Sequence, residues 1–116
     1  MKDFLRVTKA LSDRNRIMII KALQRRPLFV SELQRALGIA QSTVSKHLRV
    51  LEEAGIVTSH PQGTWVKYYI AESAPNPYAA SILGNLRHWL EKEPEIIALF
   101  EALPAFRDLK RREGLI

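Results

Sequence analysis

Residues 30 to 49 read VSELQRALGIAQSTVSKHLR, and the spacing within them decides the fold. Val30, Leu33, Ala36 and Leu37 recur at three and four residues, which places them on one stripe of a helix. Gly38 follows, a residue able to take the positive φ that ends one helix and turns the chain into the next. Downstream, Val44, Leu48 and Leu51 share one sector at about 3.6 residues per turn, while Ser42, Ser45, Lys46 and Arg49 share the opposite one. One face packs and the other is free to touch something. Small hydroxyls permit close approach, Gln41 near the helix start can pair with a base edge, and Lys46 and Arg49 can neutralise phosphates or read guanine. The pattern predicts a helix-turn-helix over residues 30–54, with duplex DNA as the leading partner.

The chain beyond it extends the pattern. Gly55 stops the second helix, and residues 56–60 and 65–70 are β-rich runs separated by Pro61, Gln62, Gly63 and Thr64. They predict a two-stranded hairpin directly after the second helix, a wing over residues 56–70 that lies along a neighbouring groove or backbone. Val66, Tyr68 and Ile70 alternate with Trp65, Lys67 and Tyr69, so one set packs inward while Lys67 projects with the other.

Around this centre lie helices with apolar surface to spare. Residues 2–11 carry Phe4, Leu5, Val7 and Leu11 on a short amphipathic helix, and a second helix over residues 14–23 starts after Ser12 or Asp13, both good caps. Pro75 and Pro77 make a break, after which residues 78–92 form a helix with Ile82, Leu83, Leu86, Trp89 and Leu90 on one broad side. Pro94 suits the first turn of another helix over residues 95–103, and Pro104 ends it. A small helical core cannot cover so much apolar surface. A symmetric dimer through the first helix and the C-terminal helices of residues 77–113 is expected, with its two recognition helices about 34 Å apart, one DNA turn. The basic run RDLKRR at residues 107–112 reads as a solvated helix end.

Composition bounds the possibilities. The 116 residues, 47% of them hydrophobic, suit one domain spanning 1–116, mainly α with a two-stranded wing. The net charge of +6 is unevenly spread: residues 1–70 hold 12 basic and 5 acidic side chains, whereas residues 71–116 hold 6 and 7. Positive charge therefore sits with the helix-turn-helix and wing, where an anionic polymer would bind. The charged amino terminus and short apolar runs give no targeting signal and no span, so a cytoplasmic protein without membrane contact is expected. There is no cysteine nucleophile, no glycine-rich phosphate loop, no His-Glu-x-x-His and no evident acid-base pair. These absences argue against an enzyme, and no cofactor is expected. A winged helix used to bind RNA or a protein partner is the alternative, since the fold alone does not fix the partner.

KALSDRNR at residues 9–16, LFVSELQRALGIAQSTVSKHLRVLEEAGIV at residues 28–57 and GTWVKYYI at residues 63–70 together resemble the ArsR/SmtB family of bacterial winged-helix repressors. The similarity runs from residue 4 to about residue 100, and three ordered motifs at matching separations make it specific. The resemblance implies a homodimeric transcriptional repressor that binds an operator and lets go when an effector arrives. It would carry Gln41, Ser42, Thr43, Ser45, Lys46 and Arg49 into the major groove and make Gln62, Gly63 and Thr64 the wing tip.

Three departures qualify that picture. Arsenic- and cadmium-sensing members carry two cysteines where this chain has Phe29, Val30 and Ser31, and the chain has no cysteine at all. Neither Phe nor Ser replaces a thiolate, so that sensor is absent. The family's second metal site, on the C-terminal helix, is reduced to His88 and Glu91, three apart and so on one helical face, with no Asp-x-His before them. Zinc needs about four donors, which the pair would supply only by symmetry across a dimer; a solvated face is the default reading, and the effector stays unidentified. Finally, Ala40 stands where relatives place a capping Ser, an exchange that costs about 0.5 to 2 kcal/mol. Gln41 or Ser42 taking over the cap would shift the helix start by a residue.

Overall fold

The computed structural model describes residues 1–73 and 75–104. Its elements run α1 (Lys2–Leu11), α2 (Arg14–Arg25), β1 (Leu28–Phe29), α3 (Val30–Leu37), α4 (Gln41–Glu53), β2 (Val57–Gln62), β3 (Trp65–Ile70), α5 (Pro77–Leu86) and α6 (Pro94–Ala102). No helix among the described residues is long and apolar enough to cross a membrane.

Local chemistry explains most boundaries. The Asp13 carboxylate accepts from the backbone N–H groups of Asn15 and Arg16 at 2.8 and 3.1 Å, and so starts α2. Gly38 closes α3 at φ +69, in the left-handed region. Asn76 caps α5 by accepting from the Ala79 N–H at 2.9 Å, and proline occupies the first turn of both α5 and α6. Ala40 keeps its place as N-cap of α4 without a side-chain bond, so the helix starts at Gln41 and neither Gln41 nor Ser42 takes over the cap. The Ala40 carbonyl instead accepts from Thr43 and Val44, both at 3.1 Å.

The core centres on α2, whose Met18, Ile19, Ile20, Ala22 and Leu23 are buried. Leu33 of α3, Val44, Leu48 and Leu51 of α4, and Ile56 and Val57 close against it, with Val7 and Ala10 on one side and Leu83, Leu86, Ile96 and Leu99 on another. These side chains hold α3 and α4 at a fixed angle.

Four sequence-based expectations need correction. The sheet has three antiparallel strands in the order β1-β3-β2, because Leu28 and Phe29 pair with Tyr68 and Lys67. A two-residue strand is too short to show a period of its own. The hairpin loop is Gly63 and Thr64 alone, with Gln62 opposite Trp65, and β2 runs through Pro61 because it is an edge strand. Gly63 at φ +65, with no positive φ at Thr64, follows the sign pattern of a type II′ turn.

The third correction concerns α5, which stops at Leu86 and gives way to turns over residues 87–92 instead of continuing to Lys92. Lys21 of α2, 1% exposed, ends it: Nζ donates to the carbonyl oxygens of Leu86 and Trp89 at 2.6 and 2.9 Å and lies 3.2 Å from the Glu91 carboxylate. Gln24 one turn later donates to the Leu83 carbonyl at 2.9 Å. Trp89 and Leu90, expected on the packed side of that helix, are exposed in the turn, and Leu90 takes φ +67. The fourth correction is Lys67, taken up below. The expected helix end at residues 107–112, and the dimer material beyond residue 104, lie outside the described residues.

Candidate nucleic-acid interface

α4 divides into two faces as its spacing requires. Val44, Leu48 and Leu51 are fully buried, whereas Gln41, Ser42, Lys46 and Arg49 are exposed. Thr43 and Ser45 are half-buried on its flanks. Neither Lys46 nor Arg49 forms an ion pair with a described residue. Two cations one turn apart on an outward helix face are thus available to phosphates or to guanine edges.

The wing braces one flank. Ser59 of β2 donates its hydroxyl to the Glu52 carboxylate at 2.9 Å, tying the hairpin to the last turns of α4. Tyr68 feels the charges of both Glu52 and Arg49; burial raises its pKa above 10.0 and Glu52 adds to this, while Arg49 and the Ser59 hydrogen bond pull the other way. At the tip Gln62, Gly63 and Thr64 are exposed, and Gln62 donates to the Tyr69 hydroxyl at 3.3 Å.

Lys67 does not project. It is 8% exposed, with its ammonium 5.5 Å from the centre of the Phe29 ring. Burial lowers its pKa below 10.5, opposed by the nearby Glu32 carboxylate. Strand alternation identifies two faces without saying which is covered, and here the start of α3 covers the face that carries Lys67. The exposed wing is consequently polar and aromatic, with Trp65 half exposed and edge-on to Phe29 at 5.6 Å.

The opposite flank holds a network that the sequence did not reveal. Arg16 of α2 donates through Nε to the Ala10 carbonyl at 2.8 Å and through a terminal nitrogen to the Lys9 carbonyl at 3.1 Å. Its other terminal nitrogen lies 3.2 Å from Nδ1 of His47 on α4, and the Asp13 carboxylate is 3.9 Å from Nε2 of the same ring. Arginine only donates, so this contact is a hydrogen bond whenever Nδ1 is unprotonated. One guanidinium thereby joins the end of α1 to the recognition helix. Asp13 was legible as a cap, but nothing local connects Arg16 with a histidine 31 residues away.

Burial pushes the Asp13 carboxyl up, but the Arg16 N–H, the His47 ring, the Arg16 guanidinium and the Asn15 N–H outweigh it and hold the pKa below 3.8. A depressed carboxyl adds stability above its unfolded pKa and loses it as pH falls through the folded value. Asp13→Ala should therefore cost about 1 kcal/mol at neutral pH, with a gap to the parent that narrows below about pH 3.8. Urea midpoints across that range check it; a constant gap would refute the assignment.

The residual metal candidates are not assembled. His88 and Glu91 lie in the turn after α5 and not on a helical face, and Glu91 is engaged by Lys21. Among the described residues no group of three or more His, Asp or Glu side chains is placed to hold a metal ion.

A helix-turn-helix with an outward second helix, followed at once by a hairpin pinned to that helix, defines a winged helix-turn-helix regulator. Residues 13–59 match the family described as bacterial regulatory protein, arsR family. The chain is 34% identical over 100 residues to the arsenical resistance operon repressor of Escherichia coli K12, covering 85% of this chain and 83% of that protein. It belongs to the arsR family of transcriptional regulators. Among solved structures, the transcriptional repressor BigR from Xylella fastidiosa superposes with a TM-score of 0.58 at 33% identity, covering 68% of this chain and 74% of that one. The homodimeric winged helix-turn-helix DNA-binding domain of a possible ArsR-family regulator from Mycobacterium bovis gives 0.63 at 27% identity, covering 74% and 76%.

Proposed function

We propose that this chain binds an operator in duplex DNA as a homodimer, represses transcription from it and is released by an effector. The exposed Lys46 and Arg49 on a rigidly packed α4 are the observation that carries the reading. Gln41, Ser42, Thr43 and Ser45 complete the groove-facing set, and Gln62, Gly63 and Thr64 approach the neighbouring backbone. Lys67 serves the fold of the wing and not the DNA. Dimerisation is supported by Met1, Phe4, Leu5 and Tyr78, which are all exposed around an edge-to-face contact of Phe4 with Tyr78 at 5.3 Å. With an operator in duplex DNA as its partner, its place of work is the cytoplasm, and its role is binding and not catalysis.

Arg49→Ala should weaken specific duplex binding by about five- to 150-fold, the value of about 1 to 3 kcal/mol for a good base contact. Lys46→Ala, which removes one cation from each recognition helix of the dimer, should weaken specific and non-specific duplexes alike and lower the salt slope by about 2. Anisotropy titrations with competitor DNA and RNA test both. Unchanged affinity in both variants, or equal competition by RNA, would refute the reading.

A further inference from the structure

α1 has three stripes, and only two are accounted for. At about 100° per residue, Val7 and Ala10 face the core, and Phe4, Leu5 and Thr8 form the exposed sector that meets Tyr78 of α5. Lys2, Arg6 and Lys9 fall together in a third sector of about 60°, all exposed and none ion-paired with a described residue. Two contacts orient it. The Phe4–Tyr78 contact puts α5 on one side of α1, and the bridge from the Lys9 and Ala10 carbonyls through Arg16 to His47 brings α4 to the C-terminal end of α1, where Lys9 sits. The basic stripe therefore faces away from α5, with its Lys9 end nearest the recognition helix.

We propose that this stripe is a further DNA-contacting surface, in which Lys9 and Arg6, and Lys2 beyond them, neutralise backbone phosphates between the two recognition helices of a dimer. The inference rests on the operator-binding reading above. Its chemistry is phosphate neutralisation without base reading: three cations on one helical face match an anionic backbone, and none of the side chains is held in a geometry that would select a base. In a symmetric dimer joined along the Phe4 and Leu5 sector, the two stripes meet near the centre of the site while the wings lie outside, so the protein surface facing the duplex is continuous.

The test is a salt series from about 50 to 200 mM on a labelled duplex of about 30 base pairs, selected by this chain from a randomised pool. Arg6→Gln with Lys9→Gln should lower the salt slope by about 2 or more and weaken binding about five-fold per lost contact near 0.15 M salt, equally for selected and scrambled duplexes. The charge-keeping pair Arg6→Lys with Lys9→Arg should retain the parent slope. A parent that binds with a steep slope, beside a glutamine variant with that same slope, would overturn the stripe and leave operator binding intact. A parent that does not bind the duplex at all would overturn both.

Discussion

Gly55→Ala should lower the stability of the protein by about 3 kcal/mol, whereas Gly38→Ala should cost only about 1 to 2 kcal/mol. Both glycines hold positive φ, +76 and +69, and a side chain in that region costs about 1 to 2 kcal/mol by itself. They differ in what a methyl group would meet. At Gly38 nothing lies within 4 Å of an added Cβ. At Gly55 the same atom would sit 2.5 Å from Cγ and 2.7 Å from Cδ of Pro75, a stiff ring directly before the Asn76 that caps α5. Neither the ring nor the turn carrying β2 away from α4 can yield without moving an element, and overpacking of this kind costs about 1 to 3 kcal/mol. Urea denaturation of the two variants beside the parent measures the difference. Equal losses would show that the Pro75 contact relaxes freely.

The second large effect is expected at Lys21. Lys21→Met keeps most of the volume but removes the donor to the Leu86 and Trp89 carbonyls, and should cost about 3 kcal/mol. Hydrogen bonds from a charged donor are each worth about 1.5 to 3 kcal/mol, partly offset because an ammonium group no longer has to leave water. The Glu91 side chain, 42% exposed, regains hydration when Lys21 goes, whereas Glu91→Gln leaves the buried Lys21 ammonium with its two carbonyl bonds but no counter-charge and should cost about 1 to 2 kcal/mol. The loss should be local as well as global, with amide exchange accelerating in α5 and the turn after it before α3 and α4 are affected. A Lys21→Met variant within about 0.5 kcal/mol of the parent would mean that water replaces the lysine at both carbonyls.

What the sequence discloses and what it hides separate by distance along the chain. α3, the Gly38 turn and α4 are legible because every determinant lies within a few residues of the next: a stripe, a glycine, a second stripe. The start of α2 at Asp13 and of α6 at Pro94 are equally local. The end of α5 is not, since its own residues suit a helix through Lys92 and the side chain that stops it comes from 65 residues away. β1 exists only because β3 offers it an edge, and Lys67 turns inward only because Phe29 and Glu32 cover its face. The recognition surface was the more legible part of the candidate site, because its cations are defined by the helix that carries them. The wing was less so, its lysine being claimed by tertiary packing.

Arg16 has one more consequence. By gripping the last carbonyls of α1 with one edge and the imidazole of α4 with another, it acts as a pin between two levers. A tilt of α1 at the seam of a symmetric pair would swing both reading heads together and change the span they present to the double helix. The gauge of such a machine is set at its hinge, so a signal arriving there could loosen the grip on DNA without touching the groove-reading side chains of α4.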